Sequence, residues 1–130
     1  MKYLLNIYAD ERIWTESTPE QMAATMEAYG AFGEEAGDRI VAGEGLQPTT
    51  TATTVRVRDG ERLLSDGPFA ETKEQLGGFY LVECDDLDQA LALAARIPDA
   101  ATGCVEVRPV MDYEAFGVPD EQDARQGAAS

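Results

Sequence analysis

Two short segments of this chain are apolar on both faces, and this feature most constrains what the chain can fold into. Residues 2–8 and residues 79–83 each carry apolar side chains at odd and at even positions. Because successive side chains of a strand point to opposite faces of its sheet, each segment is predicted to be a strand that is covered on both faces. Helices cover one face, so another surface must cover the second.

Two helices are predicted from their capping residues. Thr18 is a predicted N-cap, Pro19 suits the first helical position, and Gln21 completes a capping box. Asp86 is the predicted cap of the second helix, which ends before Pro98. The predicted buried faces consist of Met22, Met26, Tyr29 and Phe32 in the first helix and Leu87, Ala90, Leu91 and Ala94 in the second.

A hairpin interrupts the pattern between the two helices. Residues 54–58 alternate between apolar and polar, and Asp59-Gly60 is a strong signal for a two-residue turn. The predicted order is strand, helix, strand, hairpin, strand, helix, strand, which without the hairpin is the ferredoxin-like βαββαβ pattern of the α+β class. That topology places the two doubly apolar strands in the centre. A second copy of the chain is the simplest cover for the face without helices, so we expect a homodimer.

Composition narrows the class of protein. The 130 residues suit one domain, expected over residues 1–117, followed by a disordered acidic tail over 118–130. A net charge of −15 argues against binding to nucleic acid or to an anionic membrane. No segment approaches the roughly 20 apolar residues of a membrane span. Cys84 and Cys104 do not make a disulfide framework, and we expect a cytoplasmic location.

Residues 66–78, with the sequence DGPFAETKEQLGG, concentrate conformational constraints in one connection. Pro68 restricts Gly67, which predicts a sharp bend directly after Asp66. Gly77-Gly78 allows another backbone or a ligand to approach closely. A connection with so many constrained residues is typical of a functional site.

This stretch resembles the signature of the YCII-related family, in particular its DGPF-domain branch. The resemblance extends over residues 1–111 and includes residues 3–8, 41–48 and 105–109. It implies a dimeric α+β barrel and a pocket that pairs a histidine with an aspartate. Asp66 matches the aspartate, but the chain contains no histidine. Chemistry that requires an imidazole or a histidine-ligated metal is therefore excluded.

Asp66 is the candidate catalytic residue, with a hydrogen-bonded turn aspartate as the alternative interpretation. Lys73 is interpreted either as a partner for an anion or as a solvated ion pair, and Tyr8 either as a pocket residue or as a core residue. The candidate ligand-binding residues are Tyr8, Glu44, Gly67, Pro68, Phe69, Glu71, Lys73, Gly77 and Gly78. No cofactor and no metal is expected, because the remaining oxygen ligands do not converge in sequence.

Three hypotheses for function follow, of which the third is a scaffold dimer that binds no ligand. The first is a protein that binds a small molecule in a pocket near the DGPF stretch, with catalysis left open. The second is a regulatory or protein-interaction module, because the resemblance implies a link to extracytoplasmic-function sigma factors. A closed pocket that contains Asp66 favours the first, and an exposed apolar patch without a pocket favours the second.

Overall fold

The computed structural model describes residues 1–117, and the expected disordered tail lies outside them. The fold is mixed α+β with antiparallel sheets. The α-helices are α1 (Arg12–Thr15), α2 (Pro19–Ala36) and α3 (Leu87–Ala94). The strands are β1 (Lys2–Ala9), β2 (Ile40–Gly45), β3 (Thr53–Arg58), β4 (Glu61–Asp66), β5 (Gln75–Glu83) and β6 (Cys104–Pro109). None of the described helices has the length and apolarity to cross a membrane.

The main sheet has four strands in the order β2-β5-β1-β6, and all of its pairings are antiparallel. β1 and β5 are the two central strands, as the apolarity of both their faces predicts. β3 and β4 form a separate two-stranded sheet. The inserted hairpin is therefore not part of the sheet that carries the core.

The predicted capping residues begin both long helices. The Thr18 hydroxyl accepts a hydrogen bond from the Gln21 backbone N–H at 3.1 Å, and the Thr18 N–H donates to Gln21 Oε1 at 2.9 Å. These bonds form the capping box and satisfy two N–H groups that would otherwise lack partners. Asp86 accepts from the Gln89 N–H at 2.8 Å at the start of α3. The prediction of both helix starts is confirmed.

The core lies between one face of the main sheet and the helices α2 and α3. Its largest fully buried side chains are Leu5, Val82 and Ile97. The predicted buried face of α3 is partly wrong, because Leu87 and Leu91 are exposed. The buried positions are Ala90, Leu93 and Ala94 in α3, followed by Ile97 three residues beyond the end of the helix. This set has the same helical spacing as the predicted one but lies three residues further along, and only packing against the sheet decides between them.

The face of the sheet opposite the helices is open in the single chain. Register pairs Leu4 with Leu81 and Asn6 with Phe79, so these side chains share that face. Leu4, Tyr8, Phe79 and Leu81 are all half-buried there. The two-sided apolarity read from the sequence therefore corresponds to an apolar strip on the open face.

The hairpin has the predicted turn. Asp59 and Gly60 have φ angles of 52° and 77°, as a type I′ turn requires at both central positions. Thr54 Oγ1 donates to the Gly67 carbonyl at 2.9 Å, and the Gly67 N–H donates to the Ala52 carbonyl at 2.7 Å. Almost all hairpin side chains are exposed, including Val55, Val57, Leu63 and Leu64.

Candidate functional site

A cavity of about 550 Å³ lies between α2 and the edge of the sheet where β1 ends and β5 begins. We call it the main cavity. Its walls include Trp14 from α1, Tyr29 from α2 and Tyr80 from β5. The Trp14 and Tyr29 rings lie 6.3 Å apart between centroids and are tilted by 44°. The volume is within the roughly 300–1,000 Å³ that is usual for small-molecule sites.

Glycines let the strands approach closely at the base of the main cavity. A Cβ atom on Gly43 would lie 2.5 Å from Cδ1 of Tyr80, so the ring occupies the space of a side chain on β2. A Cβ atom on Gly78 would lie 2.8 Å from the Glu44 carbonyl oxygen. Larger residues at these positions would displace either the ring or the β2 backbone.

The main cavity contains a hydrogen-bonded pair of Tyr29 and Asp99. The Tyr29 hydroxyl donates to Asp99 Oδ2 across a separation of 70 residues. Asp99 is 7% exposed and is the buried charged residue of the described chain. Burial, and next the bond to Asp99, raise the pKa of the Tyr29 hydroxyl above its ordinary value. Tyr29 is therefore a neutral donor at physiological pH.

Asp99 owes its position to a close backbone contact. It lies in the short 3₁₀-helix Pro98–Ala101, just before β6. A Cβ atom on Gly103 would lie 2.0 Å from the Tyr8 carbonyl oxygen, a distance that no side chain tolerates. Glycine at this position therefore lets the segment lie directly against β1. The Asp99 carboxylate is thereby held within hydrogen-bond distance of the Tyr29 hydroxyl.

The second oxygen of Asp99 has no hydrogen-bond donor in the described part of the chain. Oδ2 accepts from Tyr29, whereas the structure gives Oδ1 no hydrogen-bond donor among residues 1–117. Within the same residues, every side-chain nitrogen or oxygen that is fully buried has a partner. Oδ1 is therefore accessible, and Asp99 is one of the residues that line the main cavity. The Tyr29 oxygen also keeps an unused lone pair that can accept a bond from a ligand.

Glu11 lines the main cavity and accepts a hydrogen bond on each of its two carboxylate oxygens. Its carboxylate accepts from the Thr49 N–H at 2.9 Å and from the Thr49 hydroxyl at 2.5 Å. Its backbone N–H donates to Gln75 Oε1 at 3.0 Å. These bonds tie the connection after β2 to the start of β5, so Glu11 has a structural role at the edge of the cavity.

The main cavity is acidic. Glu11, Glu44 and Asp99 are among its lining residues, and neither lysine nor arginine is among those that the structure describes there. Glu44 pairs with Phe79 in the β2–β5 register, which puts its side chain on the open face of the sheet. Asp99 is thus the carboxylate that presents an unoccupied oxygen to the interior.

The sequence profile of the YCII-related domain family matches residues 1–114. The chain belongs to this family. An uncharacterized protein of Rhizobium meliloti (strain 1021) is 40% identical over 124 residues, which cover 92% of this chain and 99% of that protein.

One solved structure with a similar chain path is 5-chloro-2-hydroxyhydroquinone dehydrochlorinase from Burkholderia phenoliruptrix AC1100 in complex with 2,5-dihydroxybenzoquinone. The similarity covers 88% of this chain and 98% of that one, at 14% identity and a TM-score of 0.45.

The structure divides the candidate ligand-binding residues into three groups. Glu44, Gly77 and Gly78 line the main cavity. Gly67, Pro68 and Glu71 line a second cavity of about 400 Å³, which shares Gln75 with the main one. The residues that line neither are Tyr8, Phe69 and Lys73.

The residues outside both cavities have other surroundings. Tyr8 is half-buried on the open face of the sheet. Phe69 is 79% exposed, and the Arg56 guanidinium lies 5.9 Å from the centroid of its ring. Lys73 is exposed. The DGPF stretch of this YCII-related chain therefore borders the second cavity through residues other than Asp66, Phe69 and Lys73.

Asp66, the candidate catalytic residue, lies at the end of β4 and is exposed. It pairs with Thr53 across the hairpin and lines neither cavity, although Gly67 beside it lines the second. Its catalytic role stays a prediction. No three potential metal ligands of the histidine, cysteine, aspartate or glutamate type come together within residues 1–117.

Sequence reasoning assigned Tyr29 to the core and did not single out Asp99, Trp14 or Glu11. One signal pointed towards Tyr29, because a tyrosine on an apolar helical stripe needs a partner for its hydroxyl. The identity of that partner has no local signature. Asp99 follows Pro98 in a connection where aspartate is common as a turn residue.

Proposed function

We propose that this protein binds a small molecule in the main cavity, with the Tyr29–Asp99 pair as its polar anchor. The observation that carries the proposal is the Asp99 carboxylate, which belongs to a buried residue of the cavity wall and has one oxygen bonded to Tyr29 and the other accessible. The accessible oxygen can accept a hydrogen bond from a ligand donor, and a hydrogen bond to a charged group is stronger than one between neutral groups. The aromatic walls supply apolar contact around this anchor.

The same pair supports acid–base chemistry without histidine. A donor group of a ligand at Asp99 Oδ1 would transfer its proton to the carboxylate, and Tyr29 would stabilise either form through its hydrogen bond. The base in this proposal is Asp99. Asp66 remains the alternative base predicted from the family signature. Replacing Asp99 should abolish any acid–base activity if Asp99 is the base, and replacing Asp66 should abolish it if Asp66 is the base.

Fluorescence tests the binding site directly. Trp14 is the single tryptophan of the chain, so its emission reports on the main cavity. A fragment library of small aromatic and aliphatic polar compounds should contain members that saturably change this emission. We expect Asp99→Asn and Tyr29→Phe to weaken their binding about tenfold or more, as loss of a hydrogen bond to a charged group does.

Asp66→Asn is the matched control, since it removes the same charge from an exposed position. We expect it to leave the Trp14 response unchanged. A response that is lost in Asp66→Asn and kept in Asp99→Asn would assign the site to the DGPF loop and overturn our choice of the main cavity.

We further propose that the chain is a ferredoxin-like member of the DGPF branch, cytoplasmic, and a homodimer that forms a dimeric α+β barrel. The strand order β2-β5-β1-β6 and the placement of α2 and α3 on one face support the topology. The apolar strip of Leu4, Tyr8, Phe79 and Leu81 supports a partner on the other face. Two copies paired through this face should bury more than about 1,200 Å² in total.

Light scattering tests the dimer. We expect a mass of two chains for the wild type and of one chain for Leu81→Asp, because a carboxylate would lose its hydration in the paired faces. A mass close to the single-chain value of 14.1 kDa for the wild type at micromolar concentration would contradict the dimer.

The alternative function, an interaction module linked to extracytoplasmic-function sigma factors, draws support from one observation. The hairpin exposes Val55, Val57 and Leu64, and register places them on one face of the β3–β4 ribbon. Replacing Val55 and Val57 by serine distinguishes the two functions. The ligand response of Trp14 should persist in this variant if the main cavity is the functional site.

A further inference from the structure

The charges around the main cavity restrict the ligand that it accepts. Asp99 presents Oδ1 to the interior, and the described lining contains neither lysine nor arginine to balance a second negative charge. An anionic ligand would lie beside the Asp99 carboxylate without a counter-ion and would lose its hydration on entry. Anionic ligands are therefore disfavoured by the site itself.

The walls of the main cavity favour a cation. Trp14 and Tyr29 both line the cavity, and their ring centroids lie 6.3 Å apart. Aromatic faces attract ammonium groups, and tryptophan attracts them most strongly. The Asp99 carboxylate lies at the hydroxyl end of Tyr29, so one ammonium has an aromatic surface and a carboxylate oxygen in the same part of the site.

We propose that the main cavity takes an aromatic or apolar primary amine in its protonated form. Its ammonium group donates to Asp99 Oδ1 and to the free lone pair of the Tyr29 oxygen, and its apolar body packs against Trp14 and Tyr80. This inference rests on the proposed function and adds the chemical class of the ligand.

The carboxylate of Glu11 is tied to the wall of the main cavity. Each of its oxygens accepts a hydrogen bond from Thr49, at 2.9 Å and 2.5 Å, whereas Asp99 Oδ1 has no donor among residues 1–117. Glu44 has its side chain on the open face by register with Phe79. The discrimination between charged and neutral ligands is therefore assigned to Asp99.

Three probes of similar size but different charge test the inference. Phenethylamine is a cation at neutral pH, 2-phenylethanol is neutral, and phenylacetate is an anion. Titration against Trp14 fluorescence at about 150 mM salt, where exposed charges are largely screened, gives three affinities. We expect phenethylamine to bind about tenfold more tightly than 2-phenylethanol, and phenylacetate to bind most weakly.

Two variants separate Asp99 from the overall charge of the protein. The net charge of −15 attracts any cation to the surface. Asp59→Asn removes one such charge at the tip of the hairpin, where Asn-Gly suits the type I′ turn equally well. We expect Asp59→Asn to keep the preference for the amine. Asp99→Asn should weaken the binding of both ligands, and phenethylamine about tenfold more than 2-phenylethanol, so that the two then bind about equally.

The measured affinities test the ligand class and the proposed binding function separately. Equal affinity of amine and alcohol for the wild type, tighter binding of phenylacetate, or an equal loss of amine preference in both variants would overturn the inference. The alcohol would still report an occupied cavity in those cases, so the proposed function would stand. If no probe changes the Trp14 emission, the inference fails, and the fragment library then decides the proposed function by itself. The wild-type ranking holds even if Asp99→Asn does not fold.

Discussion

Two aspartates of this chain show how different two regions of one small domain can be. Asp99 is 7% exposed, accepts a hydrogen bond from Tyr29 and lines a cavity. Asp66 is exposed at the end of a two-stranded hairpin. The conspicuous motif surrounds Asp66, but the buried polar pair surrounds Asp99. A signature in the sequence and a site in the structure are therefore separate observations, and each needs its own test.

The largest expected difference in stability between the two regions comes from adding a single methyl group to a glycine. Gly103→Ala should destabilise the protein by about 4 kcal/mol or more, because the new Cβ would lie 2.0 Å from the Tyr8 carbonyl oxygen. Gly60→Ala in the hairpin turn should cost only about 1 kcal/mol, since the space is open and the cost comes from its φ angle of 77°. Urea unfolding of the two variants measures the difference, and similar costs would break the contrast.

Removing an aliphatic side chain should also separate the regions. Leu5→Ala creates a cavity in the fully buried core and should cost about 3 kcal/mol of unfolding free energy. Leu64→Ala, at a position that is 59% exposed in the hairpin, should change stability by less than about 0.5 kcal/mol in a single chain. A large cost for Leu64→Ala would show that a second chain covers the hairpin. Repeating the unfolding at several protein concentrations identifies that case.

The two aspartates provide a smaller contrast. Tyr29→Phe removes the donor to Asp99 and should lower the free energy of unfolding by about 2 kcal/mol, since it leaves a buried carboxylate with one partner fewer. Asp66→Asn should leave it within about 0.5 kcal/mol. Chemical unfolding at pH 7 measures both variants. An equal loss in the two would mean that Asp66 is also held by contacts in the folded protein.

The smallest effect is a dependence on alkaline pH. Burial, and next the bond to Asp99, raise the pKa of Tyr29 above its ordinary value of 10.0. A group whose pKa is higher in the folded state stabilises fully below its unfolded pKa and loses that contribution as pH rises towards its folded pKa. The wild type should therefore lose about 1 kcal/mol more than Tyr29→Phe between pH 9 and 11. Parallel curves for the two proteins would show that Tyr29 ionises as readily as in the unfolded chain.

Much of the secondary structure was predictable because it rests on local interactions. The capping box of Thr18 and Gln21 is one turn of chain, and the I′ turn of Asp59-Gly60 is two residues. The apolarity of residues 2–8 on both faces identified β1 as a central strand. The sequence predicts that β5 begins at Phe79, which is too late. Gly77-Gly78 lies inside the strand, which begins at Gln75.

The face that α3 buries required the tertiary structure. Ala90, Leu91, Leu93 and Ala94 are all apolar, so two overlapping stripes fit the same helical period. The docking of α3 against β6 and the core selects Leu93 and leaves Leu91 exposed. Local pattern offers no means to choose between two stripes of equal apolarity.

By itself the amino-acid sequence determined the α+β class, the order of the elements, the family resemblance and the exclusion of histidine chemistry, because each depends on composition or on neighbours along the chain. The tertiary structure alone decided the site. Tyr29 and Asp99 are 70 residues apart and meet because Gly103 lets the segment before β6 lie against β1. A cavity is the volume that packed elements leave unfilled, so its position and its charge exist only once those elements have docked.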